Sequence, residues 1–494
     1  MKYQPVIGLE IHTALKTKTK MFCDSVNDPD EKRANWNVCP ICMGHPGTLP
    51  VINKDAVDKV ILTGLALNCS IARDTFFERK NYFYPDLPKG YQISQYQKPL
   101  CEHGELQIEG KKIRITRIHL EEDAGRLQHL ENDPAGLAGA GASLVDYNRA
   151  GVPLMELVTE PDFTCGQDVR SFAQEYQLIL KYIGASDADM EKGLMRVEVN
   201  ISLTNEDGSF GTPIEVKNIN SISAAALSVD YEIIRQREVL ESGGKIVKET
   251  RGWDDVKKAT FSQRSKEEAQ DYRYFPEPDL PPLHFEDSDI ESIKNTLPEL
   301  PQARRERFKK QYGLPEADVE MFTADKALGN YFEHVASELL SFERLSHLDR
   351  PSEDNNEKLF KLASNYIITE LQKHRTFATG DDMKITPESF GDLIVRVFHK
   401  QISSSGAQVV LEEMFKTGVS PEHVIKEKDL GQVSDSGALD SIVDTVILAN
   451  PKPVEDYKKG KEASLKFLIG MAMRESRGKG NPQVLEEIIK IKLK

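Results

Sequence analysis

Tryptophan is almost missing from this chain of 494 residues, with two copies, and cysteine is little commoner, with six. So few thiols in so long a chain do not make a disulfide framework. Three of them, Cys23, Cys39 and Cys42, gather near the start, a spacing that suits a metal cluster or free thiols. No apolar run approaches the roughly 18 residues of a membrane span. Met1 to Gln4 lead straight into an apolar run, with neither a charged leader nor an Arg/Ser-rich transit segment. The expected location is therefore the cytoplasm, or an organelle matrix if a presequence has been removed, with no membrane partner. Positive charge is in deficit too: 64 Lys+Arg face 79 Asp+Glu, a net charge of -15. That balance argues against nonspecific coating of nucleic acid but leaves room for a local basic surface. One lies at the C-terminal end, where residues 451 to 494 hold 11 Lys+Arg against 6 Asp+Glu.

What is present is enough for several cores. With 39% hydrophobic and 29% charged residues, the chain reads as two to four globular domains. From Tyr3 to about Leu283, short alternating strands, Gly/Pro turns and interspersed helical patterns predict an α+β domain. The run Pro278-Asp279-Leu280-Pro281-Pro282-Leu283, with Pro298 to Pro301 beyond it, has the turn-prone composition of a boundary. Helical periodicity then takes over, at Gln302 to Tyr312, Asp325 to Leu340, Asn356 to Lys373 and Pro387 to Lys400. From about Gln401 a small helical module is expected, broken at Gly418, Gly431 and Gly437, with a further helix from Val454 to Gly480. The Gly/Pro-rich stretch Asn132 to Ala142 reads as a loop between strands. It lacks the Gly-Lys-Ser/Thr of a P-loop and the dinucleotide spacing.

Side chains on a strand alternate between faces. In Val6 to His12, Ile7, Leu9 and Ile11 form an apolar face, and Gly8, Glu10 and His12 point the other way. In Arg196 to Leu203 the polar face is Arg196, Glu198, Asn200 and Ser202; Ile214 to Asn218 repeats the scheme with Glu215 and Lys217. The strand Ile113 to Leu120 runs into Glu121-Glu122-Asp123, three acids whose repulsion needs cations or solvent. Glu156 and Glu160 follow between apolar neighbours. One such strand is most simply an antiparallel strand with its polar side in water. The recurrence of carboxylate, His, Asn, Lys and Arg on several is different: oxygen-rich groups with an imidazole suit Mg²⁺, and Lys and Arg suit phosphate oxygens. A metal-plus-ATP phosphoryl site is the expectation.

Several long runs carry a resemblance. They are Ile7-Gly8-Leu9-Glu10-Ile11-His12, the segment Arg79-Lys80-Asn81-Tyr82-Phe83-Tyr84-Pro85-Asp86-Leu87-Pro88-Lys89-Gly90-Tyr91-Gln92-Ile93-Ser94-Gln95, and His119-Leu120-Glu121-Glu122-Asp123-Ala124-Gly125. Asp146 to Arg149, Glu215 to Ser221 and Asp271 to Asp279 add to them. Across essentially its whole length the sequence resembles the GatB family of tRNA-dependent amidotransferase components. The resemblance implies an α+β fold: a cradle (kinase) domain over 1–292 with an antiparallel or mixed sheet, a helical connecting domain over 293–402, and a YqeY-like tRNA-binding tail over 403–494. It implies ATP- and Mg²⁺-dependent phosphorylation of the side-chain carboxylate of misacylated Glu-tRNA(Gln) or Asp-tRNA(Asn), followed by amidation with ammonia. It assigns Glu10, His12, Glu122 and Glu156 to the catalytic metal site, although alternation alone does not choose Glu122 over Glu121. Lys80, Lys217 and Asn218 sit in the family's motifs and, with Glu198, Asn200 and Glu215 on the same polar faces, are assigned to nucleotide or substrate. No amidase Ser/Ser/Lys signature is present, so ammonia is expected from a partner; the resemblance implies that this is an amidase A subunit, with a small C subunit or an equivalent holding the two together.

The chain departs from the family pattern in two places. Many members carry Cys-x-Cys followed by Cys-x-x-Cys, a four-thiolate zinc site, whereas here Ser25 stands at the second position. Cys23, Cys39 and Cys42 with Asp24 or water would still serve zinc, although closed structural sites prefer Cys and His. The usual Arg-Cys-Asp is replaced by Arg196-Val197-Glu198, whose carboxylate reaches one methylene further. A different class of function, a tRNA-binding scaffold without kinase chemistry, would call for Lys and Arg on the polar faces; these are rich in acids instead. An independent ligase acting on a small carboxylic acid fits less well with the basic C-terminal end.

Overall fold

The computed structural model describes residues 3–129, 143–265, 272–345, 353–375, 385–431, 436–476 and 480–493. The stretch Asn132 to Ala142 and the opening Asp271 of the last motif lie outside them. The chain divides into two units, Met1–Pro301 and Gln302–Lys494.

Twelve strands position the first unit's chemistry: β1 (Pro5–Ala14), β2 (Ser70–Ile71), β3 (Glu78–Asn81), β4 (Tyr91–Ser94), β5 (Cys101–Ile108), β6 (Lys111–Glu122), β7 (Pro153–Thr159), β8 (Met195–Leu203), β9 (Ile214–Lys217), β10 (Glu249–Asp254), β11 (Ala259–Ser265) and β12 (Arg273–Pro276). Nine form one sheet in the order β11-β10-β9-β8-β1-β7-β6-β5-β2, antiparallel except between β9 and β10. A second sheet has the order β12-β3-β4. The apolar face of the large sheet is fully buried: Ile7, Leu9 and Ile11 of β1, Met155 and Leu157 of β7, and Val197, Val199 and Ile201 of β8 are 0 to 1% exposed. Helices α1 (Lys54–Ala66), α2 (Gly166–Tyr182) and α3 (Ile222–Glu241) pack against the sheet. Their starts are set locally: Asn53 caps α1 by accepting from the Ala56 N–H, and Ser221 caps α3 by accepting from Ala224. Mostly antiparallel pairing with one buried face makes the α+β class expected from the alternation.

Strand β6 contains a one-residue irregularity. Arg117 pairs with Val158 and Ile115 with Thr159, leaving Thr116 unmatched. Ile113 and Ile115 are core residues before the slip, and Ile118 and Leu120 after it. A bulge of this kind switches which set of alternate residues faces the core.

The second unit is helical, with no strand among the described residues beyond one isolated bridge between Ile402 and Gly431. One core runs from Phe308 to Val424 and a separate one from Leu439 to Leu493. The expected helices are present as Pro301–Tyr312, Lys326–Leu345 and Pro387–Phe398, and Glu353–Tyr366 continues through a π turn, Ile367–Leu371, to Arg375. Gly418 ends Ser404–Thr417 in the left-handed conformation at φ 75°. Two local expectations are corrected. Gly437 lies in the first turn of Ser436–Ala449 rather than at a break, and Val454 to Gly480 spans two helices, Pro451–Lys458 and Glu462–Glu475, separated at Gly460, whose φ of 89° no helix accommodates.

Candidate active site

The register brings the polar residues of the central strands together. Residues directly opposite in a ladder share a face: His12 pairs with Glu156 on one side and Arg196 on the other, Glu156 with His119, Leu154 with Glu121, Glu10 with Glu198, and Asn200 with Gly8 and Glu215. The polar face therefore carries Arg117, His119 and Glu121 of β6, Glu156 of β7, Glu10 and His12 of β1, Arg196, Glu198 and Asn200 of β8, and Glu215 and Lys217 of β9.

At its centre the His12 Nε2 lies 3.3 Å from Glu156 Oε2, 3.6 Å from Glu10 Oε1 and 3.8 Å from Glu121 Oε1. The His119 Nε2 lies 3.4 Å from Glu156 Oε2 and 3.9 Å from Glu121 Oε2. Two triads have the spacing of a metal site, Glu10/His12/Glu156 and His119/Glu121/Glu156. Burial opposes charge on His12, but the Glu156 hydrogen bond and the carboxylates of Glu121, Glu156 and Glu198 outweigh it and hold the imidazole at about 9. Burial pushes Glu121 up to about 7, with Glu156 adding to the effect, and pushes His119 down to about 4. Burial raises Glu156 as well, but His119, His12 and Arg117 prevail and keep it well below the usual carboxylate range. Burial and then Glu156 raise Glu10. Acids this close and this buried call for a cation, and the His119 Nδ1 is buried without a hydrogen-bond partner among the described residues.

Glu122 is not brought to this face. It follows Glu121 directly on the strand and points to the other side, where its carboxylate accepts from the Lys89 ammonium and, at 2.9 Å, from the Ile93 N–H. Its backbone carbonyl accepts from Gln92 Nε2 at 2.7 Å. Glu122 thereby pins the segment leading into β4. Glu10, His12 and Glu156 do come together, with Glu121 beside them. His119, Glu121 and Arg117 are the members that the sequence reading did not assign; their signal is the spacing of alternate residues 117, 119 and 121, once the doublet Thr116-Arg117 is seen to break phase.

The flanking residues divide. Lys80 of β3 is half-buried, and although burial disfavours its charge, Glu121, Tyr274 and Glu156 favour it. The Lys80 Nζ sits 5.0 Å from the centre of the Tyr272 ring and makes no ion pair within 4 Å among the described residues. Lys217 lies between Glu198 at 2.7 Å and Glu215 at 3.1 Å. The side chain of Arg117 reaches 3.6 Å from Glu156 Oε1. Asn218, exposed and at φ 56°, ends β9. Arg196 of this face and Arg149 both bind the buried Asp123, at 3.1 and 2.6 Å.

The three cysteines form their own cluster, with sulfurs within 4.8 Å of one another. Ser25 Oγ is 3.9 Å from the Cys42 Sγ. A hydrogen bond from Cys23 lowers Cys42 to about 4 against the effect of burial, helped by the Cys39 N–H and by Lys20, whose Nζ is 3.7 Å away. Lys20 is fully buried, and its ammonium otherwise contacts the Tyr147 carbonyl at 3.1 Å.

Residues 5–291 match the family described as the GatB/GatE catalytic domain, and residues 352–493 match the GatB domain. The chain is 46% identical to the B subunit of the aspartyl/glutamyl-tRNA(Asn/Gln) amidotransferase of Carboxydothermus hydrogenoformans, over 100% of this chain and 99% of that protein. It is 46% identical to the protein of the same name from Caldanaerobacter subterraneus subsp. tengcongensis, over 100% of both. With that from Thermotoga maritima the identity is 44%, over 99% of this chain and 98% of the relative. A nine-stranded sheet with clustered acids and histidines, matched along its length and followed by a helical unit whose greater part is matched in turn, places this chain in the GatB family.

Proposed function

We propose that this chain is the kinase subunit of a glutamyl-tRNA(Gln) or aspartyl-tRNA(Asn) amidotransferase. The observation that carries the proposal is the convergence of Glu10, His12, His119, Glu121 and Glu156 from three adjacent central strands, faced by the Lys80 ammonium, which has no ion-pair partner among the described residues. In the reaction, an oxygen of the tRNA-borne side-chain carboxylate attacks the γ-phosphorus of ATP. ADP leaves and an acyl phosphate forms; ammonia then displaces phosphate to give the amide.

Glu10, His12 and Glu156 would hold Mg²⁺, with Glu121, which groups with Glu156 and His119, beside them, because carboxylate oxygens and an imidazole at this spacing match the ion's ligand preference and offset its charge. Bound there, the ion supplies charge neutralisation for phosphate oxygens. Lys80, with no competing carboxylate in ion-pair range among the described residues, is placed to meet a phosphate oxygen, and Lys217 would exchange Glu198 or Glu215 for one. Asn200 and Asn218 offer neutral hydrogen bonds at the same end of the sheet. Glu122 keeps the Lys89 to Ile93 segment in place and holds no ion.

Zinc fits the other cluster, with Cys23, Cys39 and Cys42 as thiolate ligands and the Ser25 hydroxyl or a water at the fourth position. Ammonia would come from an amidase A subunit held by a small C subunit. The helices of residues 436–493 would form the tRNA-docking tail. Lys452, Lys458, Lys466 and Arg474 make no ion pair there among the described residues, whereas Lys492 is held by Asp440 and Asp444.

The test is Mg²⁺-dependent ATP cleavage by the complex reconstituted with its partner subunits, with and without Glu-tRNA(Gln), comparing the native chain with His12→Ala and Glu121→Ala. Cleavage that depends on Glu-tRNA(Gln) and is lost in both variants while tRNA binding persists is the expected result. Full transamidation by both variants would refute the kinase site and leave the polar face as an RNA-binding scaffold.

A further inference from the structure

An aromatic pair stands beside the acidic cluster without a role in the phosphoryl chemistry. Tyr96 and Tyr274 stack with ring centres 4.7 Å apart and planes 23° from parallel. Tyr96 is held from below: the N–H groups of Tyr96 and Gln97 donate to the buried Glu78 carboxylate at 2.9 and 2.7 Å. Its ring nevertheless remains open, with the residue 53% exposed. Two links tie the pair to the cluster. Tyr274 of β12 pairs in register with Lys80 of β3, so the two share a face of the small sheet. Arg117 lies with its guanidinium carbon 5.7 Å from the centre of the Tyr96 ring while its Nη2 is 3.6 Å from Glu156. One side chain therefore spans the distance from the rings to the acids.

A large aromatic surface left open to water beside cations and a phosphoryl site has the chemistry of a base-stacking platform. Single-stranded nucleic acid is bound by stacking on tyrosine with nearby Lys and Arg for the backbone, and the contact does not need an enclosed pocket. A small nucleotide, by contrast, is usually held in a cleft that covers most of its surface. We propose that the Tyr96–Tyr274 pair receives the 3′-terminal adenine of the acylated tRNA, so that the ribose ester beyond it directs the amino-acid side chain toward Glu156. The inference rests on the kinase reading given above, but it adds what orients the substrate: Tyr96 and Tyr274 are positioning residues that touch the end of the tRNA, not the reacting atoms.

The experiment uses the complex reconstituted with its partner subunits and a double-mutant cycle read by binding. Unacylated tRNA(Gln) transcript, the same transcript lacking only its terminal adenosine, the native chain and Tyr96→Leu are combined in pairs. Loss of one stacked base weakens binding about tenfold or more, so either change alone should weaken binding by that factor and the two together by no more than one of them. Tyr96→Phe keeps the ring and should bind like the native chain, which separates lost stacking from misfolding. In steady-state amidation, Tyr96→Leu should raise KM for Glu-tRNA(Gln) and leave KM for ATP within about twofold of the native value. Additive losses in the cycle would overturn the proposal, as would a rise confined to the KM for ATP, which would give the platform to the nucleotide. The binding cycle needs no turnover, so it stands or falls apart from the kinase assignment, which His12→Ala tests.

Discussion

Glu121 and Glu122 are chemically identical neighbours, and their opposite orientations predict opposite consequences of mutation. Glu122 has a side chain 4% exposed and meets Lys89, whose side chain is 13% exposed. Glu122→Ala strands that ammonium and the Ile93 N–H, and removing one partner of a buried pair costs about 3–5 kcal/mol. With a urea m-value of a few kcal/mol/M, the unfolding midpoint should fall by roughly 1 to 2 M. Glu121 is the reverse case. Burial and Glu156 raise it from 4.5 to about 7, so its ionised form is disfavoured in the fold by about 3 kcal/mol above that pH. Glu121→Gln relieves this repulsion, and in metal-free buffer at pH 8 it should leave the midpoint unchanged or higher while abolishing ATP cleavage by the complex. Circular dichroism in a urea series on the chain with EDTA reads both effects. If Glu121→Gln unfolds 1 to 2 M early and Glu122→Ala does not, the two side chains have been assigned to the wrong faces.

Two further outcomes follow from the same electrostatics. His12 is raised from 6.5 to about 9, so its contribution to stability is fully present below pH 6.5 and lost as pH rises through 9; the stability difference between the native chain and His12→Gln, in EDTA, should shrink by about 3 kcal/mol over that range. A difference constant from pH 6 to 9.5 would show that His12 is not held protonated. At the cysteine cluster, Ser25→Cys supplies a fourth thiolate and should slow zinc loss to a chromogenic chelator at least tenfold; equal release by both proteins would mean that residue 25 does not face the ion.

Much of this was legible in the sequence. Ile7-Gly8-Leu9-Glu10-Ile11-His12 alternates without interruption, so its polar face could be read directly, as could that of Arg196 to Ser202. Strand β6 could not be read in the same way. Extending the apolar phase of Ile113 and Ile115 forward puts residue 122 on the polar face, and only the unmatched Thr116 reverses that phase so that His119 and Glu121 arrive instead. Which strands lie side by side is a property of long-range pairing. β1 and β6 are separated by α1 and strands β2 to β5, and β6 and β7 by residues 123–152, so nothing local announces that His12, His119 and Glu156 meet. The Tyr96–Tyr274 stack joins residues far apart in the chain and was equally invisible.

The unmatched residue in β6 also bears on how this strand can change over generations. Thr116 is unmatched only toward β7; toward β5 the register runs past it without a break, with Arg117 opposite Glu102 and Ile115 opposite Gly104, so a deletion there would close the gap on one side and shift the pairing on the other. A deletion at Ile118 or Leu120 has slack on neither side and would turn the remaining residues over. Length variation among descendants of this gene should therefore be rare along the whole strand, and the six positions from Arg117 to Glu122 are inherited as a block of fixed length.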